Sequence, residues 1–472
     1  MKAQEAGQIL LKTLRPSGNL TVADASTKSG LALRDAEVGL HYLVAEYRGQ
    51  LAATQKGELL FRFPTGFSKP WESVEAIEHV WRRVKKFTLG VAKFVVRAWI
   101  TIVMVTYVAI FAAILIGLTM AKSNDRDDRG SSFGGQMLFY TLWRVILDSL
   151  FWTFHPFSPF RVNYQPGYRK PAGLPFYEKV NRFFFGPELP TEDPLEVPRR
   201  VLAEIRAKKG RVGLADIMRV TGLPKEKTDP LMAKFMLDYN GDVEVSEQGG
   251  ISYRFEEIRK TVQNERVIEP DAIWMRKEQL LPLTGNPAGS NLMITALNGF
   301  NLLMSSVAIS GGWTVEKLQW MFTAGAQAKY LGVLPSMPVG TPLVLGWIPF
   351  WFSLALFAIP VWRILKRPAA KQKVNHENGR RGLLWAVLNR LTRQGIAEDT
   401  LKSAWKQNAG VEPGNRELTR EVIKLGGELD INDAGLARYH FPDLELEAKA
   451  VEVERGRARD TEKEVGDVVF AS

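Results

Sequence analysis

The chain has 472 residues, 46% of them hydrophobic, a formal net charge of +11 and no cysteine. Without cysteine, structural disulfides, thiolate metal sites and cysteine nucleophiles are excluded, and the length leaves room for two to four domains. The N-terminal MKAQEAGQIL lacks the basic, apolar and small-residue regions of a cleavable signal.

Residues 1–66 form the first of three related units. Gly18 to Phe63 overlays Gly210 to Phe255 at a constant offset of 192, without a gap. Gly18, Ala23, Asp24, Gly30, Leu31, Tyr47, Gly49, Gly57, Arg62 and Phe63 recur as Gly210, Ala215, Asp216, Gly222, Leu223, Tyr239, Gly241, Gly249, Arg254 and Phe255. Thr21 is placed to cap a short helix ending at Gly30. Asp35 to Tyr47 reads as a longer helix with Val38, Leu40, Leu43 and Val44 available for a core. Gly49 is expected to end it by accepting a left-handed backbone. A hairpin with period-2 alternation follows: Leu51 and Ala53, a turn at Gly57, then Leu59, Phe61 and Phe63. Asp24 and Asp216 are expected to have a helix-capping or helix-face structural role rather than to act as acid–base pairs, since no second carboxylate recurs beside them.

Residues 67–97 read as a basic juxtamembrane helix carrying Arg82, Arg83, Lys85, Lys86, Lys93 and Arg97. A membrane hairpin is expected over 98–156. Ala98 to Ala121 is uncharged and long enough to span, since about 20 residues suffice. The second arm, 133–154, contains Arg144 and Asp148, which at i,i+4 share one helical face and can pair within the membrane. An interfacial helix is the alternative for that arm. Residues 157–193 are a Pro- and aromatic-rich connector, expected to pack rather than to flex.

The second copy occupies 194–260, with Val243, Val245, Gly249, Ile251, Tyr253 and Phe255 in its hairpin, and 261–290 is a connector. Its run Leu281 to Asn291 (LPLTGNPAGSN) reads as a helix breaker followed by a Ser290 or Asn291 cap; it lacks the lysine of a phosphate loop. A second membrane hairpin is expected over 291–364, with arms at 291–311 and 342–362 joined by an external loop; a helix lying on the surface is the alternative for 291–311. Pro349 and Pro360 should kink the second arm or mark its ends. Arg363, Lys366 and Arg367 open a basic linker, 365–380. The third copy, 381–442, carries Leu429, Ile431, Gly435, Ala437, Tyr439 and Phe441 in its hairpin. Residues 443–472 read as a charged helical tail with a short extended end from Val468 to Ser472.

The order helix, helix, helix, hairpin resembles the winged-helix variant of the helix-turn-helix over about 3–64, 194–256 and 381–442. The fold class is thus a mainly α membrane protein with three small α+β winged-helix-like repeats and two to four transmembrane helices. The resemblance implies DNA contact through the third helix and wing, but that needs cations facing phosphates. Residues 18–64 carry net charge 0 and residues 210–256 net −2. The basic excess lies instead beside the apolar spans. There Arg82, Arg83, Lys85, Lys86, Lys93, Arg97, Arg363, Lys366 and Arg367 are expected to meet anionic headgroups and set topology.

No HExxH, GxSxG or strand-linked GxGxxG is present, and the five histidines are scattered. The expected function is a non-enzymatic membrane scaffold or assembly protein. It would use no catalytic residue, cofactor or metal, and its partners would be anionic lipids and a protein, which could be a second copy. Nucleic acid is not an expected partner. A membrane-tethered nucleic-acid regulator is the alternative, and a small-solute transporter or channel the second. Basic flanks put both termini in the cytoplasm, and a bacterial inner membrane is the expected location. Since related copies share a compartment, four crossings are expected rather than two.

Overall fold

The computed structural model describes residues 1–15, 19–64, 66–67, 98–118, 174–189, 193–261, 268–391, 395–431, 437–458, 465 and 468–471. Contacts divide the chain into two units. One comprises Met1–Val74, Pro190–Leu280 and Ala369–Ser472, the other Glu75–Leu189 and Leu281–Pro368. Among the described residues the chain is mostly helical, with three small sheets and three apolar helices long enough to cross a membrane.

The first unit holds three modules of one topology. Module 1 runs α1 (Ala3–Thr13), β1 (Asn19–Leu20), α2 (Val22–Ser29), α3 (Leu33–Tyr47), β2 (Gln50–Thr54) and β3 (Leu59–Arg62). The second unit then contributes α4 (Ala98–Leu118) and α5 (Phe176–Phe185). Module 2 runs α6 (Glu196–Ala207), β4 (Arg211–Val212), α7 (Leu214–Thr221), α8 (Lys225–Asp238), β5 (Asp242–Val245) and β6 (Ile251–Arg254), followed by the short α9 (Glu256–Arg259). The second unit resumes with α10 (Ala288–Ser310), α11 (Val315–Leu331) and α12 (Ile348–Leu388). Module 3 takes the end of α12, then β7 (Ile396–Ala397), α13 (Glu398–Ala409), α14 (Asn415–Lys424), β8 (Glu428–Ile431) and β9 (Ala437–His440). After it come α15 (Pro442–Arg457) and β10 (Val468–Ala471). The sheets are ordered β1-β3-β2-β10, β4-β6-β5 and β7-β9-β8. Hairpin register is identical in all three modules, with Gln50 opposite Arg62, Asp242 opposite Arg254 and Glu428 opposite His440.

Local chemistry explains the recurring residues. Thr21 and Asp24 form a reciprocal capping box on α2, which ends at Gly30 with φ +81°. On α7, Asp216 accepts the Gly213 N–H at 2.8 Å, and Gly222 closes the helix at φ +72°. Gly49 does not end α3 by a left-handed turn, contrary to the sequence-based expectation; Arg48 takes that conformation at φ +49°, and Asn240 does the same at φ +51° in module 2. The glycines recur for steric reasons. A Cβ on Gly49 would lie 2.8 Å from the Phe63 ring, on Gly241 2.5 Å from Phe255, and on Gly427 2.8 Å from Phe441. Each hairpin thus ends in a buried phenylalanine seated on a glycine backbone.

Module 1 has its own core, including Leu10, Leu20, Leu31, Leu40, Leu43 and Phe61. Modules 2 and 3 share one, in which Val201, Ile217, Phe235 and Phe255 join Leu383, Leu401, Trp405 and Phe441. Each such side chain contributes about 1.5–3 kcal/mol by leaving water. Val38, expected in the core, is exposed, and Val44 is half-buried. Val243, Val245, Ile251, Leu429 and Ile431 are also exposed, because the hairpins extend beyond the cores that their inner ends cover.

In the second unit, Met104, Val105, Phe176, Val180, Phe184, Ile294, Leu297 and Leu356 form one cluster, and Phe111, Ile114, Met304, Ala308 and Leu345 another. α4 and α10 therefore rise together while α12 descends. α5, inside the aromatic connector, buries Phe176, Val180 and Phe184 at helical spacing. Three differences from the sequence-based expectations stand out. α11 occupies the stretch expected to be an external loop, capped by Thr314 and closed by Gly332 at φ +68°. The stretch 365–380, expected to be a linker, is helical throughout, and Glu377 pairs with Arg380 and Arg381 along it. α10 begins behind Pro287, so Ser290 and Asn291 lie in its first turn rather than at its cap. The segment 133–154, with Arg144 and Asp148, lies outside the described residues, as do Arg82, Arg83, Lys85, Lys86, Lys93 and Arg97.

The substitution Gly241→Ala is expected to destabilise the chain by about 1–3 kcal/mol, the range for overpacking a filled core. Asn240→Gly, at the left-handed position itself, should be neutral or mildly stabilising. Thermal unfolding of the detergent-solubilised chain separates the two; an equal loss in both would mean that backbone conformation, not ring packing, governs the site.

Candidate functional site

The modules are joined through both ends of their short second helices. At the start of α2 the Asp24 carboxylate, 1% exposed, lies 2.9 Å from Arg206 of α6 and accepts the Thr261 hydroxyl at 2.8 Å. At its end the Gly30 carbonyl accepts the Tyr239 hydroxyl at 3.1 Å. The pattern repeats one module on. Asp216 at the start of α7 pairs with Arg455 of α15 at 2.6 Å, and the Gly222 carbonyl accepts from Arg380 of α12, also at 2.6 Å. Positive charge meets a capping carboxylate at one helix end, and a donor meets an exposed carbonyl at the other, so each contact offsets a deficit inherent in a helix terminus. In module 3, a Cβ built on Gly410, which closes α13, would meet no described atom within 4 Å.

Sequence reasoning placed Asp24 and Asp216 correctly as helix caps but missed Arg206, Tyr239, Arg380, Glu447 and Arg455. The recurrence of tyrosine at 47 and 239 was the one signal available. Glu447 of α15 is 4% exposed and accepts the Leu214 N–H at the start of α7. Burial raises its carboxyl to about 8; the Leu214 N–H opposes that and the Asp216 charge adds to it.

The exposed faces of the module 2 and module 3 hairpins are chemically alike. β5 reads Asp-Val-Glu-Val and β8 Glu-Leu-Asp-Ile. Val243, Val245 and Ile251 in module 2, and Leu429 and Ile431 in module 3, are 43–67% exposed. His41 is exposed with its ring edge-on to Phe61, and His440 is half-buried, 3.5 Å from Asp430. Among the described residues no group of three or more His, Asp or Glu is placed to hold a metal.

The membrane-grade helices meet through polar groups. Asn298 donates to the Ser353 carbonyl at 3.0 Å and Asn301 to the Met104 carbonyl at 2.8 Å, each side chain fully buried. Such bonds join helices where lipid supplies no hydrophobic drive between them. Arg363, expected at headgroups, donates to the carbonyls of Phe183, Phe184 and Leu283, covering the end of α5. Lys366 lies 4.6 Å above the Trp362 ring, a cation–π pairing. The Leu281–Asn291 run is bonded to itself and its neighbours: Asn291 donates to Thr284 at 3.0 Å and Asn286 to the Lys179 carbonyl at 2.7 Å.

No family model and no solved structure matches the chain. It is 23% identical over 255 residues to an uncharacterised chloroplast protein of Arabidopsis thaliana. That alignment covers 51% of this chain and 46% of the plant protein, so the chain spans about half the length of the curated relative it matches. The relative is chloroplastic, and a bacterial origin draws no support from it.

Glu447 generates a pH prediction. Its folded value near 8 exceeds the ordinary 4.5, so between those values the folded chain keeps a proton that the unfolded chain releases. Stability should therefore fall as pH rises from about 4.5 to 8. Glu447→Gln keeps an acceptor for Leu214 without the buried charge. It is expected to stabilise by a few kcal/mol at pH 8, with roughly 1.4 kcal/mol for each pH unit crossed as an upper scale, and to have little effect near pH 4.5. Melting curves across this range check it; a pH-independent difference would assign the effect to packing.

Proposed function

We propose that this chain is a non-enzymatic membrane scaffold whose three modules resemble winged helices and contact protein, including further copies of the chain. The observation that carries this reading is the composition of the exposed hairpins. Their strands present Val243, Val245, Leu429 and Ile431 beside Asp242, Glu244, Glu428 and Asp430. A wing that follows DNA presents cations to phosphate; these present carboxylates and apolar side chains, which suit a protein surface. The uncovered end of α13 adds a second surface of the kind by which modules 1 and 2 hold their neighbours.

Contacts and chain sense support a shared side for the modules. Asp24–Arg206 and Gly222–Arg380 bond them to one another, which favours their lying on the same side of a membrane. α4 and α10 follow modules 1 and 2 in the chain and run the same way, while α12 runs back toward module 3, which fits that arrangement. An even number of passages between modules 1 and 2 then calls for a second crossing or a re-entrant segment after Leu118, and 133–154 is the apolar stretch available. We place the modules on the cytoplasmic or equivalent face, with Lys366, Arg367 and the 82–97 basic run at anionic headgroups. The membrane of a chloroplast, suggested by the plant relative, and a bacterial inner membrane both satisfy these terms.

Two measurements test the reading. The chain lacks cysteine, so Leu59→Cys, Val245→Cys and Ile431→Cys each report one hairpin to a membrane-impermeant maleimide. All three should label from the same side; opposite labelling of Leu59→Cys and Val245→Cys would overturn the shared compartment. The full chain in micelles should also show no micromolar affinity for random duplex at about 50 mM salt, where phosphate-driven binding is strong. Micromolar binding with a steep salt slope would favour the membrane-tethered nucleic-acid regulator.

A further inference from the structure

We infer that the outer edge of β2 is a strand-receiving site and that its partner between molecules is the β10 segment of a second copy of this chain. The inference rests on the protein-contact reading and deepens it by naming surface and partner. The three sheets are equivalent except that module 1 carries a fourth strand: β10 adds to β2 in antiparallel register, with Thr54 opposite Val468, Ala53 opposite Phe470 and Ala52 opposite Ala471. Among the described residues, β5 and β8, the counterparts of β2, have no such neighbour.

Composition explains the asymmetry. Edge strands are guarded against pairing by charge, and β5 and β8 each carry two carboxylates in four residues. β2 reads Gln-Leu-Ala-Ala-Thr and β10 Val-Val-Phe-Ala, neither with a charged residue. An uncharged edge with small side chains admits an extended apolar segment, which is the chemistry of β-augmentation.

The resident strand is held in a way that permits exchange. Val468, Val469 and Phe470 are 48%, 66% and 65% exposed, so backbone pairing rather than side-chain burial attaches them. The register is irregular between Val468 and Phe470, which interrupts even that ladder. Four residues attached this way belong to the low-stability end of a fold and open readily. Ten residues, 458–467, separate the end of α15 from β10, and ten extended residues reach about 33–36 Å. Val465 among them is buried and would travel with the strand. Donating β10 to a neighbour remakes the same bonds, so exchange costs little beyond association.

Single-cysteine variants of the full chain, solubilised in detergent, give the test. Ala53→Cys in one copy and Phe470→Cys in another occupy paired positions, and Phe470, largely exposed, gives up little packing. Mixed and oxidised, they can form a disulfide only in trans. Ala53→Cys mixed with Val453→Cys, on the exposed face of α15, measures random collision. Strand pairing raises the local thiol concentration, so the paired mixture should give heterodimer at least about tenfold faster than the control. Heterodimer at the collision rate, with ready intramolecular cross-linking of the Ala53→Cys/Phe470→Cys double variant, would overturn exchange and leave β10 a cis strand. Failure of the double variant to cross-link as well would overturn the β2–β10 pairing itself. Neither result touches the labelling or duplex measurements, which test the broader reading separately.

Discussion

The first unit depends on how the short helices α2 and α7 are held at both ends. A helix of eight residues is too short to be stable alone, and its termini leave backbone groups without partners. Each helix meets this partly from within, through Asp24 or Asp216 and a closing glycine, and partly from elements later in the chain, through Arg206 and Tyr239 or Arg455 and Arg380. Helix completion and module assembly are therefore the same interaction. An array built this way has a direction: modules 1 and 2 are each completed by side chains from further along the sequence, and in module 3 no described atom lies within 4 Å of a Cβ built on Gly410.

Burial strengthens these contacts. Asp24 is 1% exposed and Arg206 13%, so solvent screens them less than a surface pair, whose value is usually under about 1 kcal/mol. The same burial makes removal of one partner costly, since the remaining charge has no water to turn to. Glu447 shows the other side of that balance: with little water around it and Asp216 close by, it holds its proton far above the usual carboxylate range. The array thus combines paired charge at its joints with one carboxyl kept near neutral.

In the second unit the apolar helices are long enough to cross a membrane, and buried asparagines supply directional contacts between them. Asn298 and Asn301 each donate to a backbone carbonyl on a neighbouring apolar helix, which fixes rotation as well as contact. Arg363 shows how a residue assigned from charge alone is redirected by geometry. Its position just past an apolar span suggested a headgroup, but three carbonyls at the end of α5 and in the loop before α10 take its guanidinium.

The repeat, the hairpins and the apolar spans were legible in the sequence because local pattern suffices to specify them. Capping residues, left-handed glycines and period-2 alternation act within a few residues, and an uncharged run of some twenty residues is its own signal. The reason Gly49, Gly241 and Gly427 recur was not legible, since the constraint is a phenylalanine ring that arrives from 14 positions further on. Nor was α11, or the helical course of 365–380, where Glu377 pairs at i,i+3 and i,i+4 with Arg380 and Arg381. The partners of Gly30, Gly222 and Asp216 lie 158 to 239 residues away. The covering of β2 by β10 joins segments at opposite ends of the chain. Sequence by itself determined which segments fold and which can enter a membrane. Tertiary structure alone decided which end of which helix each distant side chain completes, because that choice depends on proximity created only by folding.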